Sequence, residues 1–110
     1  VSLNNCSRVS NQSLSTLAKH CTQLKAIELC RVDTLTDESL VGIAAHAYLL
    51  ETLVLMDCDR VGDEGIIAIA RGCPHLRTIE MPYCRKITDD AMLALSNHCP
   101  RLRCLSISAC

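Results

Sequence analysis

Apolar residues return along this chain at one fixed interval. Displacing the sequence by 26 residues lays it on itself without a gap. Leu24, Leu50, Leu76 and Leu102 form one ladder, Val1, Ile27, Leu53, Ile79 and Leu105 a second, and Leu3, Leu29, Leu55, Met81 and Ile107 a third. Further along the unit stand Cys6, Val32, Cys58, Cys84 and Cys110, then Val9, Leu35, Val61 and Ile87. Leu14, Leu40, Ile66 and Met92 follow, with Leu17, Ile43, Ile69 and Leu95 three residues later, and Cys21, Ala47, Cys73 and Cys99 close the unit. Self-similarity at a fixed period of this length is the signature of a stacked-repeat architecture.

Within each unit the spacing changes midway. Leu53 and Leu55 alternate with polar-tolerant positions, as on a short strand with one face buried. Leu40, Ile43, Ala44 and Ala47 then fall at helical spacing on one face. Thr36 and Thr88, each followed by an Asp, are suited to cap and start that helix, and Ser10 and Gly62 occupy the same slot. Pro74 and Pro100 sit where the helix must stop. Each unit therefore reads strand, loop, helix, turn. One such unit cannot bury its own apolar side, so the units stack, with parallel strands ~4.8 Å apart and one continuous core. Strands are thinner than helices, which predicts an α/β solenoid with strands on the concave side and helices on the convex side. Residues 1–110 hold about four 26-residue repeats. Neither end carries a polar cap, so a segment of a longer array is expected.

Leu50-x-x-Leu53-x-Leu55-x-x-Cys58, Leu76-x-x-Ile79-x-Met81-x-x-Cys84 and Leu102-x-x-Leu105-x-Ile107-x-x-Cys110 match the leucine-rich-repeat core pattern. With the Cys-Pro pairs and the steps Leu35-Thr36-Asp37 and Ile87-Thr88-Asp89, the chain resembles the cysteine-containing subclass of these repeats. Val32, Ala47 and Gly62 depart from the pattern, all with small or apolar side chains. The resemblance implies a right-handed βα horseshoe segment and a protein-recognition role. The subclass is best known from F-box/leucine-rich-repeat proteins, substrate receptors of SCF-type ubiquitin ligases. In that setting the SCF adaptor is bound only through an F-box, a separate module that nothing here resembles. Other members lack an F-box and act as regulators, so a scaffold or regulatory role without a ligase stays open. The resemblance also implies a reducing, cytoplasmic or nuclear location.

Composition adds limits. About half of the 110 residues are hydrophobic, the net charge is −1, and Tyr48 and Tyr83 are the only aromatics. A core of small layers needs few large rings. No basic excess points to nucleic acid or an anionic membrane, and no apolar run is long enough to span a bilayer. A monomer is expected. The nine cysteines contain no Cys-x-x-Cys, and seven of them lie on two core ladders, where a thiol acts as a small hydrophobe. Cys30 and Cys104 fall on the concave side instead and are the more reactive candidates. His20, His46 and His98 form a ladder at the expected helix C-termini, where they complement the helix dipole and supply no metal site. No nucleophile motif and no phosphate-cradling glycine loop occurs. The expectation is no catalytic residue, no cofactor and no metal.

Strand residues between core positions point away from the core. One such row is Ser2, Glu28, Val54, Glu80 and Ser106; the next is Asn4, Cys30, Met56, Pro82 and Ser108, followed by Asn5, Arg31, Asp57, Tyr83 and Ala109. These rows vary in residue type from unit to unit, unlike the core ladders. A protein-binding face is therefore expected at Glu28, Arg31, Val54, Met56, Asp57, Glu80, Tyr83 and Arg85. Val54, Met56, Pro82 and Tyr83 supply its apolar centre, and the charged residues its border. Pro82 removes one strand donor, which predicts a loosened ladder there. On the helical side Lys19, Glu38, Glu64, Arg71 and Asp90 read as solvated.

Overall fold

The computed structural model describes residues 2–4, 11–32, 34–82 and 84–106. Val1, Asn5, Cys6, Val9, Ser10, Tyr83, Ile107, Ser108, Ala109 and Cys110, all named above, lie outside the described residues. Strands and helices alternate: β1 (Ser2–Asn4), α1 (Asn11–His20), β2 (Ala26–Cys30), α2 (Asp37–Ala44), β3 (Thr52–Met56), α3 (Asp63–Gly72), β4 (Thr78–Glu80), α4 (Asp89–His98) and β5 (Cys104–Ser106).

The strands form one parallel sheet in chain order. Ile27 pairs with Leu53, Leu53 with Ile79 and Ile79 with Leu105, so the register equals the sequence period. The ladder extends one step before the strands through Glu51 N–H to Lys25 O, Arg77 N–H to Glu51 O and Arg103 N–H to Arg77 O, each 2.8 Å. The preceding leucines thus stand in line. Leu50 and Leu76 are fully buried, while Leu24 and Leu102, on the outer rungs, are half-buried against the same core.

A second layer consists of the helices, each packed on the next from α1 to α4. Alternation sends Ile27, Leu29, Leu53, Leu55 and Ile79 inward from the sheet, where they meet Leu40, Ile43, Ile66, Ile69 and Leu95 from the helices. Burial of such a side chain contributes about 1.5–3 kcal/mol. Small residues let the helices approach. A Cβ on Gly72 would lie 2.5 Å from the carbonyl oxygen of Ala44, and one on Gly65 would lie 2.7 Å from Asp37 Oδ1. Ser39, polar and fully buried, accepts a hydrogen bond from Thr36 N–H at 3.4 Å.

Two details depart from the sequence reading. His20 and His98 end α1 and α4, but α2 ends at Ala44, so His46 is not on a helix. There the chain tightens: His46 N–H and Ala47 N–H both bond to Ile43 O, which turns Ala47 into the core. Cys21 is only half-buried, unlike Cys73 and Cys99, because α1 has a helix neighbour on one side alone among the described residues.

Candidate protein-recognition face

The concave rows arise directly from the strand alternation. Glu28, Val54 and Glu80 stand side by side in register, as do Cys30 and Met56. Exposure is uneven along them. Met56 is 38% exposed, whereas Val54, on the central strand between two longer glutamate side chains, is 9% exposed. Glu28 is exposed and Glu80 half-buried.

β2 and β3 each run into a residue with left-handed backbone. Arg31 (φ 56°) and Asp57 (φ 57°) occupy the same place one repeat apart. Each keeps its N–H in the sheet ladder, Arg31 to Met56 O at 2.9 Å and Asp57 to Pro82 O at 3.0 Å, before the chain turns toward the helix. This conformation is uncommon for residues with a side chain, and least so for Asp and Asn. It presents both side chains on the rim, where Arg31 Nε lies 4.0 Å from Asp57 Oδ2 with both groups well exposed. A pair so exposed adds little to stability.

Arg31, Met56, Asp57 and Arg85 together line a cleft of about 360 Å³. Four of the residues expected on the binding face therefore converge. Glu28, Val54 and Glu80 lie in the neighbouring row, and Tyr83 lies outside the described residues. The cleft offers an apolar thioether between two guanidinium groups and one carboxylate.

Pro82 has the expected effect on the ladder. β4 spans three residues where β2 and β3 span five. Thr52 N–H bonds to Lys25 O and Thr78 N–H to Glu51 O. Continuing that alternation along β4 brings position 82 opposite Leu55 O, where proline has no proton to give. The thiol of Cys84 donates to Leu55 O instead, at 3.2 Å.

That thiol contact belongs to a series. Cys58 Sγ donates to Leu29 O at 3.4 Å and Cys73 Sγ to Ala47 O at 3.4 Å, while Cys99 Sγ lies 3.7 Å from Ala70 O and 3.8 Å from Cys73 O. The core cysteines are therefore weak donors to the backbone of the preceding repeat as well as apolar fillers. Burial pushes the Cys58 thiol up to about 11 and that of Cys73 up to about 12, and raises Cys99 as well. Cys30 is half-buried and Cys104 exposed.

One set of polar contacts was not apparent from the sequence. Asp37 and Asp63, each the first residue of a helix, accept hydrogen bonds from the start of the following helical segment. An Asp after the capping position at the repeat spacing is the signal that could have shown it. Among the described residues no group of three His, Cys, Asp or Glu side chains could hold a metal ion, and no helix is long and apolar enough to cross a membrane.

The family model described as Leucine Rich repeat matches residues 49–70 and 72–96, which cover β3–α3 and β4–α4. Among solved structures, a chain in the crystal structure of the Rad7 and Elc1 complex in yeast is similar to this one. It gives a TM-score of 0.84 at 21% identity, over 96% of this chain and 27% of that chain. This chain thus spans about a quarter of the length of that neighbour. No curated protein matches the sequence. With the stacked register, these findings identify the fold as a leucine-rich-repeat βα solenoid.

Proposed function

We propose that this chain is the recognition segment of a leucine-rich-repeat protein and holds a protein partner on its concave face. The cleft of Arg31, Met56, Asp57 and Arg85 carries this reading. It places an exposed methionine beside two arginines, and Arg is favoured in interface hot spots while Met adapts to varied surfaces. The partner contacts extend to Glu28, Glu80 and Tyr83, while Val54, expected at the apolar centre, is nearly covered by its neighbours and supports the face from beneath. A neighbour of the same fold solved in a complex with another protein is consistent with such a role.

The more specific reading follows from the cysteine-containing pattern at Cys58, Cys73, Cys84 and Cys99. It makes the parent an F-box/leucine-rich-repeat substrate receptor of an SCF-type ubiquitin ligase. The chain then selects the substrate, performs no chemistry itself, and works in the cytoplasm or nucleus as a monomer. Affinity capture with the complete protein tests both levels. Retention of the SCF adaptor together with one further protein supports the ligase reading, and absence of the adaptor removes it. The double variant Met56→Asp/Tyr83→Ala is expected to weaken binding of the further protein by more than about 1 kcal/mol with folding intact. Unchanged affinity would remove the concave face as the binding surface.

A further inference from the structure

The helical side carries an ordered apolar row that the core does not require. Val41, Ile67 and Leu93 occupy one position in each of α2, α3 and α4, 26 residues apart. Val41 is 45% exposed and Leu93 62%, with Ile67 half-buried between them. Each helix already supplies its own inward residues, Leu40 and Ile43, Ile66 and Ile69, Met92 and Leu95. A single exposed aliphatic residue needs no explanation, but three in register on adjacent helices make a contiguous patch.

The surroundings of this row are also ordered. One turn earlier on each helix stand Glu38, Glu64 and Asp90, all exposed, and none of them forms an ion pair among the described residues. Beside the row, Gly42 lets α1 approach closely, since a Cβ there would lie 2.9 Å from Ser15 Cβ, and Ala94 packs against the core. Where α1 meets α2, the first residue of the row borders a cleft of about 440 Å³ lined by Gln12, Ser15, Glu38, Val41 and Gly42.

We propose that this outer row is a second docking surface, which takes a basic amphipathic helix of a partner protein lying across α2, α3 and α4. Packed helices lie ~8–10 Å apart. A helix rises ~1.5 Å per residue, so its apolar side chains at every seventh position recur about every 10 Å and meet Val41, Ile67 and Leu93 in turn. Lys or Arg side chains flanking that stripe face Glu38, Glu64 and Asp90. The same carboxylates repel nucleic acid and anionic membranes.

The test uses the complete protein and a synthetic helical peptide of about 18 residues, with Leu at every seventh position and flanking Lys. Fluorescence anisotropy should show saturable binding that weakens with salt. It should weaken at least tenfold in Val41→Lys/Leu93→Lys and remain unchanged in Met56→Asp, which alters only the concave face. In Glu38→Lys/Glu64→Lys/Asp90→Lys, preference should pass to the same peptide with Glu in place of Lys. Circular dichroism verifies that the variants stay folded, and the charge-reversal arm gives a gain of binding that unfolding cannot mimic. Equal binding of the Lys and Glu peptides by the unaltered protein, or full binding by Val41→Lys/Leu93→Lys, would overturn the proposal. Self-association of the protein, lost in Val41→Lys/Leu93→Lys, would also overturn it, because the occupant would then be a second copy.

Discussion

Asp37 Oδ1 accepts the backbone N–H of Gly62 at 2.7 Å, from a residue one repeat further along the chain. The same oxygen accepts Gly65 N–H at 3.1 Å. Gly62 has no side chain with which to cap α3, and the carboxylate of the neighbouring helix satisfies these donors instead. Asp63 repeats the arrangement, accepting Thr88 N–H at 2.6 Å and also the Thr88 hydroxyl. Each clamp joins two repeats, so it fixes the stacking of helices as well as their starts.

Asp37→Ala should therefore lower stability by about 1–2 kcal/mol, the range for losing a helix cap with its hydrogen bonds. Asp37→Asn keeps an acceptor oxygen and should lose less. Urea unfolding midpoints at neutral pH measure both, and equal losses in the two variants would count against the clamp.

Gly72→Ala sets two effects against each other. Alanine is favoured over glycine within helices by about 1 kcal/mol. Its Cβ would, however, lie 2.5 Å from the carbonyl oxygen of Ala44, a backbone atom that cannot rotate away. The steric effect wins, and a net loss of about 1–3 kcal/mol is expected from thermal or urea unfolding. A stabilised Gly72→Ala would count against so close a packing of α3 on α2.

The buried thiols make stability sensitive to alkali. Below pH 9, the ordinary thiol value, both folded and unfolded chains hold these protons and the native state keeps its full advantage. Above it the unfolded thiols ionise first, because Cys58 and Cys73 are held up to about 11 and about 12 in the fold. Stability should fall progressively across that window. Melting temperature followed from pH 8 upward tests this, and Cys73→Ala should give the shallower decline.

Arg31 carries a left-handed backbone, with φ 56°. That conformation costs a residue with a Cβ about 1–2 kcal/mol, partly offset in glycine by its freer unfolded chain. Arg31→Gly should thus raise stability by up to about 1 kcal/mol, while Arg31→Ala, which keeps the strain, should not. If the concave face binds as proposed, both variants lose partner affinity. A melting temperature that rises while binding falls would separate the two roles of this residue.

How much of this was legible in the chain follows from what repeats. The 26-residue spacing of Leu50, Leu53, Leu55, Leu40 and Ile43 specified the strands, the helices, the register and the core. A repeated unit that cannot bury itself has one way to stack with its apolar faces together. The caps at Thr36 and Thr88 and the shortened strand before Pro82 are local properties, readable from a few consecutive residues. The concave rows followed from the alternation of the strands.

Only the tertiary structure decided what lies between rungs. The cleft of Arg31, Met56, Asp57 and Arg85, the small exposure of Val54, the clamp of Asp37 on Gly62 and the thiol bond from Cys84 to Leu55 each join residues of neighbouring repeats. A periodic sequence states which positions become neighbours, because the spacing is set by the chain itself. It does not state how closely two neighbours approach or which of them covers the other. Those outcomes depend on side-chain length, backbone conformation and helix separation, and these are settled together when the repeats pack.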